Sequence, residues 1–299
     1  MSNLNLFTSM TMYFSGFQKK FEEADYIVFG VPFDFTSTYR SGARFAPTAI
    51  REASLNIETY SFRSNVDLEE LKIHDAGDLH ISGSVNETLE RIESVCKDIL
   101  SIDKVPVLIG GEHTITLGAV RSLSGNFGLI SFDAHLDLRD KYMGESICHT
   151  TFMRRINESI KPARIIEVGT RATCREELTY ARENENIKYV TSQRIMHSGA
   201  DKVSEEIKSL LKGCNQFYLT IDMDVLDPAF APAVQNPEPD GLSTSVLLDI
   251  LSEICDRRLI AFDVVEVSPH YDSGVTAVQA AKIIFEVLSS VHKERAKQY

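Results

Sequence analysis

The chain contains 299 residues, of which 43% are hydrophobic and 25% are charged, and its formal net charge at pH 7 is −12. These fractions are close to globular averages, and the length suits one large α/β domain or two smaller ones. The basic residues form no stripe of the kind that follows a phosphate backbone, so nucleic acid is not an expected partner. An acidic surface attracts cationic small molecules and metal ions, although solubility alone explains the charge of many proteins.

The sequence favours a soluble protein of a reducing compartment. No stretch approaches the roughly 20 apolar residues that cross a membrane. Residues 1–7 lack the basic segment and apolar core of a secretory signal. Five cysteines, odd in number, form no C-x-x-C pair, which argues against a disulfide framework and a zinc knuckle. We therefore expect a cytoplasmic protein that does not enter the membrane.

Apolar runs alternate along the chain with segments of helical periodicity. Strands are predicted at residues 26–31, 73–78, 105–109, 128–130 with an extended continuation to 137, 164–169, 187–190, 216–221 and 259–267. Helices are predicted through residues 47–51, 85–99 and 244–255, and a last helix over 278–291 is capped by Asp272 or Ser273. This alternation predicts a parallel α/β sheet covered on both faces. No linker or repeat divides the chain, so residues 1–299 are predicted to form a single domain.

The most informative stretch runs from Ser131 to Asp137, at the end of the fourth predicted strand. It carries Asp133, His135 and Asp137 at alternate positions, which project from one face of an extended backbone. Two carboxylates and an imidazole at a strand end suit a divalent cation that accepts oxygen and nitrogen ligands. Without a cation, three buried polar groups on one face would need other partners.

Two further predicted strands end in residues of the same kind. His113 follows the strand at 105–109, and Asp222 and Asp224 follow the strand at 216–221. Ligands of open parallel sheets bind beyond the carboxyl ends of the strands, so these side chains can converge with the earlier three. Six such ligands exceed a tetrahedral zinc site and suit two ions that share bridging carboxylates, with Mn²⁺ favoured. Taken alone, His113 could be an ordinary loop histidine and Asp222 a turn residue.

Three short segments occur in order along the chain. They read Gly-Gly-Glu-His at 110–113, Asp-Ala-His-Leu-Asp at 133–137 and Ile-Asp-Met-Asp-Val-Leu-Asp-Pro at 221–228. These segments resemble the three signatures of the ureohydrolases, the arginase and agmatinase family, and matches at 30–34, 42–45, 47–51 and 263–269 extend the resemblance over nearly the whole chain. The resemblance implies a three-layer α/β/α fold with a mainly parallel eight-stranded sheet, two Mn²⁺ ions per chain, and hydrolysis of a guanidino group to urea and an amine.

The resemblance also implies a ligand set for each ion. One Mn²⁺ would be held by His113, Asp133, Asp137 and Asp222, and the other by His135, Asp133, Asp222 and Asp224. Asp133 and Asp222 would therefore bridge the two ions, and shared anionic ligands offset the repulsion between cations.

Three residues receive catalytic roles from the same resemblance. Glu266 resembles the guanidinium-binding glutamate of the family, and a carboxylate accepts paired hydrogen bonds from a planar cation. His149 resembles the loop histidine, which contacts the substrate and can shuttle protons. Two cations make a bridging hydroxide available near neutral pH; Asp137 is expected to take the proton of that hydroxide, and His149 to assist as the amine leaves.

The loop between the second motif and His149 bears on the substrate. Residues 138–148 contain neither of the two elements by which arginases recognise an amino acid, and they resemble the agmatinase branch. The expected substrate is agmatine, a small cationic guanidino compound, and the expected products are putrescine, a polyamine precursor, and urea. Two departures from that branch, Thr150 and the pair Gln235 and Asn236, stand where the pocket is expected.

Several alternatives remain at the level of sequence. The substrate could be guanidinobutyrate, guanidinopropionate or arginine. An amide hydrolase of the deacetylase type would hold a single zinc ion, and a non-catalytic paralogue would bind guanidino ligands without releasing urea. The resemblance further implies a homo-oligomer, either a trimer or a hexamer.

Overall fold

A nine-stranded sheet forms the centre of the computed structural model, which describes residues 3–9 and 12–297. The strands are β1 (Thr8–Ser9), β2 (Tyr26–Gly30), β3 (Tyr60–Ser61), β4 (Val66–Asp67), β5 (Ile73–Leu79), β6 (Val105–Ile109), β7 (Phe127–Phe132), β8 (Arg164–Thr170), β9 (Ile187–Thr191), β10 (Gln216–Asp222) and β11 (Leu259–Val265). The order in the large sheet is β1-β5-β2-β6-β11-β10-β7-β8-β9, and β3 pairs with β4 in a separate hairpin. β1 is antiparallel to β5, and the other neighbours in the large sheet are parallel.

Helices cover both faces of this sheet. They are α1 (Asn3–Phe7), α2 (Ala46–Ser54), α3 (Val85–Leu100), α4 (Ile115–Arg121), α5 (Phe152–Ser159), α6 (Arg175–Glu183), α7 (Ser192–Ser198), α8 (Ala200–Leu210), α9 (Thr244–Ile254) and α10 (Val275–Ala296). Side chains of α2 and α7 to α10 join one buried apolar cluster, and those of α1 and α3 to α6 join another. Successive strand residues such as Leu129 and Ile130 alternate between the two clusters, as the pleat requires. The predicted α/β/α class is confirmed.

The sheet differs from the prediction in one strand. All eight predicted strands form, and they are the eight that run parallel to their neighbours. β1 adds a ninth strand at the edge, where Thr8 and Ser9 pair with Leu79 and Asp78. A two-residue strand carries no readable alternation, because a period of two needs several residues to show itself.

The backbone after β7 departs more strongly from the prediction. The strand ends at Phe132, so the extended course expected from residue 131 to residue 137 is wrong. The carboxylate of Asp133 accepts a hydrogen bond from the backbone N–H of His135 at 2.6 Å, which turns the chain locally. Asp137 then adopts a left-handed backbone with φ of 51°. The three side chains therefore converge through a turn and not through strand alternation.

The N-cap residue of the last helix lies one residue after Ser273 and two after Asp272, the two predicted caps. Gly274, with φ of 97°, is its N-cap residue. Asp272 nevertheless satisfies the first turn, because its carboxylate accepts from the N–H groups of Gly274 at 2.7 Å and Thr276 at 2.8 Å. Asp272 thus caps the helix although it lies two residues before the N-cap residue.

Four neighbouring strands at the centre of the sheet, in the order β6, β11, β10 and β7, deliver the segments that carry the motifs. Gly110 and Gly111 follow β6 with positive φ, and a Cβ on Gly111 would lie 2.5 Å from the carbonyl oxygen of Val31. Only glycine permits this close turn, which leads directly to His113. Across the described parts of the chain, no helix is long and apolar enough to span a membrane.

Candidate metal centre and its pocket

The six predicted ligands meet at the carboxyl edge of the sheet. His113 lies in the turn after β6, and the segment from Asp133 to Asp137 follows β7. Asp222 is the last residue of β10, and Asp224 lies in the 3₁₀ turn that follows it. All are buried except His135, which is partly exposed. The parallel topology therefore brings together residues that are more than a hundred positions apart in sequence.

His113 is the centre of one group. Its Nδ1 atom lies 3.0 Å from Asp133 Oδ2, 3.2 Å from Asp222 Oδ2 and 3.6 Å from Asp137 Oδ2. His113, Asp133 and Asp137 place one potential ligand atom each within 4.8 Å of one another. This spacing is suitable for a single ion.

His135 is the centre of a second, overlapping group. Its Nδ1 atom lies 3.1 Å from Asp224 Oδ2 and 3.4 Å from Asp133 Oδ1. Asp133, His135 and Asp224 also place potential ligand atoms within 4.8 Å of one another. Asp133 belongs to both groups and directs one oxygen towards each histidine. The geometry accommodates two ions that share this carboxylate.

The hydrogen bonds of the His113 ring determine which of its nitrogens carries the hydrogen in the neutral form. Thr220 Oγ1 donates its only hydrogen to Asp263 at 2.5 Å. In its 2.8 Å contact with His113 Nε2, the Thr220 hydroxyl must therefore be the acceptor. The hydrogen of a neutral His113 is therefore on Nε2, and this assignment follows from the network. Nδ1 is left with a lone pair directed at three carboxylates, and the described residues offer it no hydrogen bond. A divalent cation resolves this arrangement.

The electrostatics of the cluster also fit cations. Burial raises the pKa of Asp137 and Asp222 well above the usual range, and the charges of Asp133 and Asp224 raise it further. Burial opposes protonation of His113, but the adjacent carboxylate of Asp133, followed by that of Asp137, raises its pKa to about 9. Four buried carboxylates are costly to keep ionised together, and protons or metal ions must compensate their charge.

Glu266 lies beside this cluster with one carboxylate oxygen free. Its Oε1 accepts from the backbone N–H of His113 at 2.6 Å, whereas Oε2 is buried and has no hydrogen-bond partner among residues 3–9 and 12–297. Its backbone is left-handed, with φ of 69°, and its N–H donates to Gly111 O at 2.9 Å. Burial raises the pKa of Glu266 to about 8. A free, buried carboxylate oxygen in a pocket is a natural acceptor for a planar cation.

His149 is held between two threonines of the loop after β2. Its Nδ1 lies 3.4 Å from Thr36 Oγ1, and its Nε2 lies 3.2 Å from Thr38 Oγ1. Thr36 in turn donates to the buried Glu112 through its hydroxyl and, at 2.8 Å, through its N–H. Burial, followed by the charges of His135 and His113, lowers the pKa of His149 to about 4. Its ring is thus neutral at pH 7.

A pocket of about 260 Å³ connects these groups to the surface. Its buried lining includes Asp137, His149, Asp222, Asp224 and Glu266. The rest of its lining includes His135, Thr38, Thr150, Thr173, Asn236, Arg139, Tyr142 and Glu238. Of the two departures noted in the sequence, Thr150 and Asn236 do border the pocket, whereas Gln235 is buried outside its lining. The volume is below the roughly 300–1,000 Å³ of pockets for drug-sized ligands, so a small substrate fits best.

Sequence reasoning missed the groups that support this site. Thr220 accepts a hydrogen bond from the His113 ring and donates one to the carboxylate of Asp263. That carboxylate also accepts from the hydroxyls of Tyr218 at 2.6 Å and Thr116 at 2.8 Å. Arg171 joins two loops, because it donates to the backbone oxygens of Asp224 at 2.6 Å and Glu238 at 2.8 Å. Thr220 directly precedes a motif, but a threonine at that position does not by itself predict a buried network of hydroxyl hydrogen bonds.

Comparisons with known proteins agree with this geometry. The model of the Arginase family matches residues 24–289. An agmatinase from Bacillus subtilis (strain 168) is 37% identical over 278 residues, covering 90% of this chain and 92% of that protein. The N(1)-aminopropylagmatine ureohydrolase of Thermococcus kodakarensis is 35% identical over 277 residues, covering 91% and 92%. The crystal structure of the agmatine ureohydrolase of Thermoplasma volcanium superimposes with a TM-score of 0.87 at 36% identity, covering 94% of each chain.

The chain belongs to the arginase family. The predicted membership of the ureohydrolases is confirmed, and with it the prediction that the protein is an enzyme. The buried His and Asp residues could hold metal ions.

Proposed function

We propose that this enzyme hydrolyses agmatine to putrescine and urea and that it uses two Mn²⁺ ions. The observation that carries the proposal is the free, buried Oε2 atom of Glu266, which lines the same pocket as four of the six candidate ligands, His135, Asp137, Asp222 and Asp224. Relatives named for agmatine and aminopropylagmatine support an amine-tailed guanidino substrate. Oxygen-rich ligation with two imidazoles favours Mn²⁺ among the common divalent ions.

In this proposal His113, Asp133, Asp137 and Asp222 hold one ion, and His135, Asp133, Asp222 and Asp224 hold the other. When bound, the two ions would lower the pKa of a water molecule in the pocket and so supply hydroxide near neutral pH.

The remaining steps belong to residues of the pocket. Glu266 binds the guanidinium through Oε2 and orients its carbon. Water adds to that carbon, the bond from carbon to the alkyl nitrogen breaks, and the amine leaves with a proton. Asp137 takes the proton released on attack, and His149, which is neutral at pH 7, relays a proton towards the departing amine. Thr36 and Thr38 keep the His149 ring in place.

A substrate panel tests the proposal. Urea release is measured with agmatine, arginine, guanidinobutyrate and guanidinopropionate in added Mn²⁺, and agmatine is expected to give the highest kcat/KM. Turnover of another member with silence on agmatine would contradict the substrate but not the reaction. Tight binding of guanidino compounds without urea release, in protein loaded with Mn²⁺, would instead support a non-catalytic paralogue. A single zinc ion per chain would favour an amide hydrolase.

We further propose that residues 1–299 form one domain and that the chain assembles as a trimer or hexamer. The first proposal is supported by the two apolar clusters, which pack on opposite faces of the same sheet. Sedimentation equilibrium tests the second, and a monomer at micromolar concentration would contradict it.

A further inference from the structure

Three glutamates line the pocket. Glu177 is buried and both of its carboxylate oxygens accept from backbone N–H groups, of Leu138 at 3.1 Å and Cys174 at 2.9 Å, so the two with a free oxygen are Glu266 at the buried end and Glu238 at the exposed end. Glu266 is 3% exposed, whereas the side chain of Glu238 retains 41% of its exposure, and both residues line the same cavity. A substrate with its guanidinium on Glu266 must direct the rest of its chain towards the exposed end.

The backbone that carries Glu238 is firmly held. Its carbonyl oxygen accepts from Arg171 Nη2 at 2.8 Å, and that of Pro239 accepts from Arg171 Nε at 2.9 Å. Arg171 also donates to Asp224 O at 2.6 Å, which ties this segment to the metal cluster. Pro237 and Pro239 flank Glu238 and restrict the backbone on both sides. The backbone of Glu238 is thus held at a fixed place relative to the metal cluster, and its side chain extends from that place into the pocket.

The carboxylate itself is free to bind a ligand. Within the described ranges, the one charged group that approaches it is the His135 ring, whose Nε2 lies 4.0 Å from Oε1. This distance is too long for a hydrogen bond. Both oxygens of Glu238 can therefore accept hydrogen bonds from a cation in the pocket.

The opposite charge at this end of the pocket is already engaged. Arg139 lines the cavity as well, and its guanidinium lies over the ring of Tyr142, 5.1 Å from the ring centroid. To pair with Arg139, a carboxylate tail would have to displace it from the Tyr142 ring. An ammonium tail could pair with the carboxylate of Glu238 without displacing any contact. The pocket as built favours a positively charged tail.

We propose that Glu238 receives the distal ammonium group of the substrate and so selects guanidino amines over guanidino acids. This inference rests on the proposed ureohydrolase function and extends it from the reacting group to the tail. Glu238 acts in binding and specificity, and it takes no part in the bond changes at the guanidinium carbon.

The test compares Glu238→Gln with the unaltered enzyme on three substrates that share one reacting group. These are agmatine with an ammonium tail, butylguanidine with an uncharged tail and guanidinobutyrate with a carboxylate tail. We expect kcat/KM for agmatine to fall about 10- to 100-fold, the range for a hydrogen bond to a charged group. The value for butylguanidine should stay unchanged, and bound Mn²⁺ should stay the same.

Asp240→Asn is the matched control. Asp240 lies two residues further along the same segment, is exposed and does not line the pocket, and its substitution removes the same charge. It should leave the ratio of the agmatine and butylguanidine values unchanged. An equal loss on both substrates in Glu238→Gln, or no loss on agmatine, would overturn this inference alone. An unaltered enzyme that releases urea from none of the three would overturn the proposed function and this inference with it.

Discussion

The metal cluster and the mouth of its pocket are built in different ways. In the cluster, Asp222 and Asp224 each give one oxygen to a backbone N–H, at 2.8 and 3.1 Å, and direct the other towards a histidine. At the mouth, Arg139 and Glu238 are partly exposed, and their charged ends make no hydrogen bond within the described chain. We therefore expect the reaction to be set by buried groups that are hydrogen-bonded to the backbone, and the choice of substrate to depend on a few side chains that can change without disturbing the fold.

Asp133→Asn should give the largest effect, because Asp133 belongs to both ligand groups. A neutral amide weakens both ion sites. Urea release should fall by at least about 100-fold, above the roughly 10- to 100-fold typical for a partner of a metal ligand. Metal analysis after dialysis should find less bound Mn²⁺ in this variant than in Asp201→Asn, a change on the exposed surface of α8. Normal metal content with normal activity would contradict the assignment of Asp133 to both ion sites.

Glu266→Gln separates substrate binding from metal binding. The amide keeps the shape of the side chain but removes the charge that pairs with guanidinium, so kcat/KM for agmatine should fall about 100-fold, or about 2.7 kcal/mol. Bound Mn²⁺ should not change. A parallel loss of metal would show that Glu266 serves the cluster instead of the substrate.

Thr220→Val removes the acceptor for the Nε2–H group of His113. Partners of this kind orient a metal-binding histidine, and their loss lowers metal affinity about 10- to 100-fold. Titration with Mn²⁺ measures the change. Thr179→Val makes the same substitution at an exposed helical position, where the hydroxyl donates only to Arg175 O, and should leave affinity as it is. Equal affinities in the two variants would contradict the assigned tautomer.

The affinity for Mn²⁺ should depend on pH. In the cation-free cluster the carboxylates of Asp133 and Asp137 raise the pKa of His113 to about 9, so the ring is protonated below that pH. Metal binding displaces this proton, together with any held by Asp137 and Asp222, whose pKa values burial raises, so affinity should fall at least about tenfold for each pH unit below 9. Proton release measured calorimetrically in buffers of different ionisation enthalpy checks the sign. Uptake of protons on binding would contradict it.

Tyr142→Leu should give the smallest effect and act only at the mouth. The substitution frees Arg139 from the ring, and the mobile guanidinium then repels an ammonium tail. An exposed contact between a cation and a ring contributes about 0.5–1 kcal/mol, so kcat/KM for agmatine should fall about 2- to 5-fold. Butylguanidine should be unaffected. A change in bound Mn²⁺ would show that the mouth and the cluster are coupled.

The sequence was most informative where a pattern is local. Buried parallel strands read as apolar runs, and their ends carried the six His and Asp residues that the structure brings together. The turn after β7, with its left-handed backbone at Asp137, was not foreseen, because polar residues at alternate positions were interpreted as an extended strand. The same holds for Thr220, Thr36 and Arg171, whose partners lie far away in sequence. Glu238 gave no signal, since one glutamate between two prolines reads as an ordinary loop.

Urea release from agmatine, measured against the number of Mn²⁺ ions bound per chain, tests the two-ion account most directly. The geometry of two ligand groups joined by Asp133 predicts that activity rises until about two ions are bound per chain and then stays constant. Full activity with one ion bound, or no urea with two ions bound, would contradict it.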